Sequence, residues 1–177
     1  DKVAIDGNLS EGDVYIFNDP YDGGTHLSDF KLVRPYYRNG ELYCYLASVG
    51  HWHDVGGNVP GNYNPEATES FQEGMLIPPV KLIEAGKFRQ DIVDIMQANS
   101  RQPISLYGDL NGQINALELG ERRLTALLDE YGDTTVQDAL TELQARAAQL
   151  MRMNIAELPD GTYSCDDWLD NDGILDE

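Results

Sequence analysis

The chain has 177 residues, 41% of them hydrophobic, and a formal net charge of −19 at pH 7. That length predicts one domain, or one domain and part of another. Phosphate repels such a charge, which argues against nucleic acid and anionic membranes as partners, and no run of 18 apolar residues is present to span a bilayer.

In chain order, "DVYIFND" (13–19) has the β-branched and aromatic content of a strand and ends in a turn cluster. "FKLVRPYY" and "ELYCYLAS" flank Asn39-Gly40, a strong hairpin signal. Pro35 implies an edge strand or a bulge in the first of these. Residues 49–74 form a long loop rich in Gly, Asn and Pro, and loops of that length tend to be functional. "MLIPPVKLIEAGKFRQ" follows as two short extended pieces around "EAGK". From residue 89 the period changes, and a helix places Ile92, Ile95 and Met96 on one face. A second helix is predicted from about Leu106 to Tyr131, with Ile114, Leu117, Leu124 and Leu128 on its apolar face and Gly132 as its stop. Gly108, Gly112 and Gly120 inside it each cost about 1 kcal/mol relative to Ala. A third helix starts from a Thr/Asp cap at 133–135 and runs to Leu158, before Pro159, burying Leu140, Leu143, Ala147, Leu150 and Ile155. The short connection predicts antiparallel neighbours. "GTYSCDDWL", the turn "DNDG" and "ILDE" read as strand again.

These elements predict an α+β fold: a β-rich half with hairpins, packed against an antiparallel pair of long helices. The expected divisions are a β-rich region over 1–88, a helical region over 89–158, and the start of a further β segment over 159–177. The abrupt first and last strands suggest a piece of a longer polypeptide. Two cysteines, Cys44 and Cys165, are too few for a disulfide framework, so a reducing cytoplasm is the expected compartment.

The three histidines, His26, His51 and His53, are confined to "GGTHLSDF" and "GHWHDVGG". Imidazole and carboxylate together suit borderline divalent metals such as Zn, Mn or Fe. His26 and Asp29 can face one ion from a tight turn, and His51 arrives from the end of the "ELYCYLAS" strand. Three ligands from two segments leave positions open for water or substrate, as in catalytic sites. HxxD is a short pattern, however, and spacing alone leaves separate surface or hydrogen-bonding roles open. Asp19, Asp22 and Asp54 are candidates for orienting the imidazoles or for acid–base duty, with structural turn roles as the alternative. Trp52, Phe71 and Tyr21 either line a pocket or pack in the core. There is no GxxxxGK[ST] phosphate loop.

"GDVYIFNDPYDGGTHLSD", "HWHDVGGNVPG", "ATESFQEGMLIPPVKL" and "DLNGQINALELGERRL", in that order, resemble the hydantoinase B / N-methylhydantoinase B-subunit family. That family includes the C-terminal part of 5-oxoprolinase, the caprolactamase small subunit, and subunits of acetone and acetophenone carboxylases. The resemblance covers nearly the whole chain. It implies that His26, Asp29 and His51 hold one divalent metal, Zn, Mn or Fe, in loops carried by the hairpins. It implies an ATP-binding partner, a hydantoinase A-type subunit or domain, that activates a small cyclic amide by phosphorylating its oxygen. This chain would then be part of the metal-dependent B-type subunit of a cyclic-amide hydrolase, with ATP reaching it only through the partner. His53 or Asp54 would move protons, or else orient the ligands. "ATESFQEGMLIPPVKL" is more similar to the cyclic-amide hydrolases than to acetone carboxylase. The alternatives are a subunit of an ATP-dependent acetone- or acetophenone-type carboxylase, and a structural fragment that docks a partner.

Overall fold

A computed structural model describes residues 9–169. Five antiparallel strands form one sheet in the order β3-β2-β1-β4-β5: β1 is Val14–Phe17, β2 Asp29–Arg38, β3 Glu41–His51, β4 Val80–Glu84 and β5 Lys87–Phe88. Three helices follow: α1 Gln90–Ala98, α2 Pro103–Tyr131 and α3 Asp133–Ala156. None of the described helices is long and apolar enough to cross a membrane.

Local chemistry accounts for most of the boundaries. Asn39 and Gly40 both have positive φ, 55° and 84°, as a two-residue turn between right-twisted strands requires. The turn sets the register of the β2–β3 hairpin, which pairs Arg38 with Glu41 at one end and Asp29 with His51 at the other. Pro35 sits in an interior strand, but β1 reaches only as far as Val33, so the missing N–H deprives no second neighbour. A register shift follows between Tyr36 and Tyr37. The two extended pieces around "EAGK" are β4 and β5. Helix α2 begins at Pro103, three residues earlier than expected, because proline has no N–H to lose in a first helical turn. Gly132, with φ 84°, ends it.

Alternation along β1 and β2 buries Val14, Ile16, Phe30 and Leu32 on one face, where they meet Leu82, Trp52, Val55, and the α1 and α2 side chains Val93, Met96, Leu106, Leu110, Ile114 and Leu117. Each such burial contributes about 1.5–3 kcal/mol. Asp13, fully buried at the head of β1, accepts hydrogen bonds from the backbone N–H groups of Ser10 and Ala85 and pairs with Lys81 Nζ at 2.9 Å. Burial raises its pKa, but these bonds outweigh that and hold it below the usual carboxylate range.

Three sequence expectations change. In α1 the buried residues are Val93 and Met96, with Ile92 half-buried, while Ile95 is exposed. The face of α3 expected to be buried, Leu140, Leu143, Ala147, Leu150 and Ile155, is exposed, because no described element covers it. Residues 161–169 form no strand, and "DNDG" and "ILDE" lie outside the described residues. The chain divides into two compact units within α2, Asp1–Leu127 and Leu128–Glu177. The sheet, α1 and most of α2 therefore belong to one unit.

Candidate functional site

Residues 18–28 coil from β1 to β2 and carry His26. The coil is tight: the N–H groups of Asp22 and Gly24 both donate to Asp19 O, and Asp29 N–H donates to His26 O. Gly24 is compulsory here, since a Cβ would lie 2.3 Å from Asp19 O. Asn18, fully buried, anchors the base. Its Nδ2 donates to Leu27 O (2.6 Å) and Met75 O (2.8 Å), and its Oδ1 accepts from Ile77 N (2.7 Å).

The coil delivers Asp29 to the start of β2, opposite His51 at the end of β3. Asp29 Oδ1 lies 2.7 Å from His51 Nδ1, and Oδ2 accepts from Thr25 Oγ1 at 2.6 Å. The His26 and His51 rings meet edge to face, centroids 6.3 Å apart. Partial burial pushes the Asp29 pKa up. Bonds from Thr25 and His51 and the nearby His26 and His51 outweigh this, so Asp29 titrates below the usual carboxylate range. An ionised carboxylate only accepts, so the His51 Nδ1 facing it is the nitrogen that carries a proton. The His51 side chain is 68% exposed.

His26 and His51 border a cavity of about 410 Å³ whose other wall includes Asn62, Tyr63, Asn64 and Glu73. The loop forming that wall is held by Asp54. Its Oδ1 accepts from the N–H groups of Gly56 and Arg101, and its Oδ2 accepts from Gly61 N–H and Arg101 Nη1. Arg101 also donates to the carbonyls of Gly56, Gly57 and Val59. Asn62 closes the loop onto the His26 segment, accepting from Val55 N–H and donating to Ser28 Oγ. Burial raises the Asp54 pKa, but the bonds from Arg101, Gly56 and Gly61 prevail and lower it.

The sequence-predicted residues therefore separate. His26, Asp29 and His51 converge. His53, two residues after His51, is exposed and does not border that cavity, whereas Asp54 is buried and spends both oxygens on its loop and Arg101. Trp52 belongs to the core, stacked on Phe30 with centroids 4.0 Å apart. Tyr21 is exposed, and Phe71 borders a different cavity of about 460 Å³ beside Arg101, whose Nη1 and Nη2 donate to Asp54 and the loop carbonyls. Thr25, Asn62, Tyr63 and Arg101 escaped sequence reading, because turn-forming polar residues all look alike without their partners.

The chemistry of the two-nitrogen, one-oxygen donor set fits a borderline divalent ion. Two imidazoles on one tetrahedral ion hold their ring centres about 5 Å apart, against 6.3 Å here. Among the described residues, no group of three or more His, Cys, Asp or Glu is arranged so that it could hold a metal ion. The geometry is that of a hydrogen-bonded His–Asp pair with a second imidazole at its edge.

The chain is 42% identical over 156 residues to the caprolactamase subunit beta of Pseudomonas jessenii, covering 88% of this chain and 27% of that protein. It is 33% identical to a 5-oxoprolinase of Arabidopsis thaliana over 82% of this chain and 12% of that protein. It is 29% identical to the acetophenone carboxylase delta subunit of Aromatoleum aromaticum over 94% of this chain and 24% of that subunit. The crystal structure of the ATP-dependent caprolactamase from Pseudomonas jessenii superposes with a TM-score of 0.83 at 40% identity, over 90% of this chain and 28% of that one. The chain thus spans about a quarter of the caprolactamase subunit's length. A hydantoinase B/oxoprolinase family model matches residues 2–176, and the chain belongs to that family.

Proposed function

We propose that this chain is part of the B-type subunit of an ATP-dependent cyclic-amide hydrolase, acting on a small ring that an ATP-binding partner subunit or domain has activated. The observation that carries this reading is the meeting of His26 and His51 at one cavity, with Asp29 bonded to His51, in a chain 42% identical to a caprolactamase subunit. An amide carbonyl is a poor electrophile, and phosphorylating its oxygen activates the carbon: water adds there, the C–N bond breaks as the ring nitrogen takes a proton, and a second water releases phosphate from the acyl phosphate left behind. Those tasks require groups that hold the ring, orient water and carry protons. A cavity of about 410 Å³ has room for a small ring.

His51, steered by Asp29 through Nδ1, borders the cavity with Nε2 as the nitrogen left for a ligand. Asp29, kept ionised, holds that orientation. His26, Asp29 and His51 would hold a divalent metal only after their side chains turn to a common point, since they are not arranged to hold one as they stand; when bound it would supply a Lewis acid that polarises a carbonyl or acidifies water. Asp54 holds the loop, which leaves the exposed His53 as the proton carrier of that neighbouring pair.

The test uses the complete subunit purified with its ATP-binding partner. It is expected to open hydantoin, 5-oxoproline or caprolactam with release of ADP. His51→Ala is expected to abolish ring opening while ATP binding by the partner persists. Undiminished ring opening in that variant would overturn the site. Carboxylation of acetone or acetophenone, with no ring opened, would move the chain to the carboxylase branch.

A further inference from the structure

Gln113 is a polar side chain in the middle of α2, on the same face as Leu110, Ile114 and Leu117, and it is buried. Its amide is matched atom by atom. Oε1 accepts from Trp52 Nε1–H at 2.8 Å. Nε2 donates to Phe30 O at 3.0 Å and to Ser48 O at 3.2 Å. An indole N–H only donates and a carbonyl only accepts, so one orientation of the amide satisfies all three. The strand beneath it gives way for it: a Cβ on Gly50 would lie 2.9 Å from Gln113 Cδ.

The three partners flank the His–Asp pair. Phe30 follows Asp29 on β2, Ser48 precedes His51 on β3, and Trp52 follows His51 directly. The register joins Asp29 to His51 and Phe30 to Gly50. Trp52 N–H closes the frame by donating to Ser28 O at 2.8 Å. Side chains alternate across a sheet, so Phe30 points to the core and Asp29 away from it. Gln113 therefore acts on the pair through the backbones that carry it.

We propose that Gln113 is a positioning residue for the Asp29–His51 pair, its amide fixing the spacing of the two strand ends through Phe30, Ser48 and Trp52. The ligand role given to His51 and Asp29 rests on the function proposed above, whereas the frame itself does not.

Two readouts on the 177-residue chain test this. Co²⁺ binding, followed by visible absorption, is measured at a temperature where every variant is folded by circular dichroism. Gln113→Met keeps the bulk of the side chain and removes all three hydrogen bonds. It is expected to lose at least tenfold in Co²⁺ affinity. Leu110→Ala, a core truncation on the same helix that removes no hydrogen bond, is expected to stay within twofold of wild type. Amide hydrogen exchange supplies the metal-independent arm. Protection of the Trp52 N–H, taken relative to that of the β1 strand amides in the same variant so that a global loss of stability cancels, is expected to fall at least tenfold in Gln113→Met and to hold in Leu110→Ala. Equal losses in the two variants, or unchanged Trp52 exchange in Gln113→Met, would overturn the proposal. A wild-type chain that takes up no Co²⁺ sinks the ligand reading of the site, and exchange alone then decides the role of Gln113.

Discussion

Replacing Arg101 by alanine separates the loop from the sheet as a source of site geometry. The guanidinium makes four hydrogen bonds, to Asp54 Oδ2 at 3.2 Å, Gly56 O at 3.1 Å, Val59 O at 3.3 Å and Gly57 O at 2.8 Å. Its partner carboxylate is 2% exposed, but Arg101 itself is 42% exposed. A surface pair contributes about 0–1 kcal/mol, and breaking a fully buried pair costs about 3–5 kcal/mol. The half-exposed arginine places Arg101→Ala between these limits, at about 2–4 kcal/mol, with Asp54 keeping its three backbone donors. At 2–4 °C per kcal/mol for a chain of this size, the fall in Tm is roughly 4–16 °C. The loop can also open locally, so exchange of the Gly56 and Gly61 amides is the closer measure. The sign of the pH dependence follows from the lowered Asp54 pKa: burial opposes ionisation, and the hydrogen bonds from Arg101, Gly56 and Gly61 prevail. The stabilisation is fully present above the unfolded carboxylate value and is lost as pH falls through the folded one. Without the guanidinium that loss begins at a higher pH. Wild-type exchange at Gly56 and Gly61, together with an unchanged Tm and acid midpoint, would refute the clamp.

Gly24→Ala places a Cβ 2.3 Å from a backbone oxygen; it is expected to cost about 1–3 kcal/mol in a urea titration and to weaken Co²⁺ binding through His26. Leu110→Ala in the core is expected to cost about 2–5 kcal/mol, while Leu143→Ala, at a residue 63% exposed, stays within about 0.5 kcal/mol; equal melting temperatures would mean that the exposed face of α3 is misassigned. Asp13→Asn leaves Lys81 without its buried counter-charge and is expected to cost about 3–5 kcal/mol at neutral pH. Because the Asp13 pKa is lowered in the fold, the gap between variant and wild type should close as acid protonates wild-type Asp13, which stability curves between neutral and acid pH would show.

Features set by neighbours in sequence were legible. Asn39-Gly40 gave the hairpin and its register, and Gly132 the end of α2, since positive φ is a property of single residues. Which shoulder of a helix is buried was not legible. In α1 the apolar residues Ile92, Val93, Ile95 and Met96 allow more than one face, and packing on the sheet chose Val93 and Met96. The stripe on α3 announces a face suited to burial but not what lies against it. At the site, the glycine-flanked HxxD and the following His51 named three residues that the hairpin brings near one another, Asp29 bonded to His51 and the His26 ring at its edge. Asp54 read like a site carboxylate because its backbone partners at Gly56 and Gly61 cannot be read from composition. Gln113 carried a usable signal: a polar residue three after Leu110 and four before Leu117, on the stripe that α2 buries.

Of the residues that meet the solvent here, His51 is held by its bond to Asp29, while His26 meets the His51 ring only edge to face. His26, His51 and His53 are exposed, and an exposed side chain samples several rotamers. Their positions come from behind, through three buried polar side chains. Asn18 ties the His26 coil to residues 75 and 77. Gln113 ties the strand ends that carry Asp29 and His51. Asp54 with Arg101 ties the loop of the opposite wall. Burying such groups unmatched costs a few kcal/mol each, so only conformations that satisfy all of their hydrogen bonds stay populated. An apolar core residue tolerates small slides, whereas a matched amide or carboxylate does not, because its bonds weaken within a few tenths of an ångström and a few tens of degrees. The backbone beneath the site is therefore stiff, and the exposed heads it carries can trade their few bonds. That combination suits a site that must admit a small ligand, orient it, and exchange its own hydrogen bonds for contacts to whatever enters.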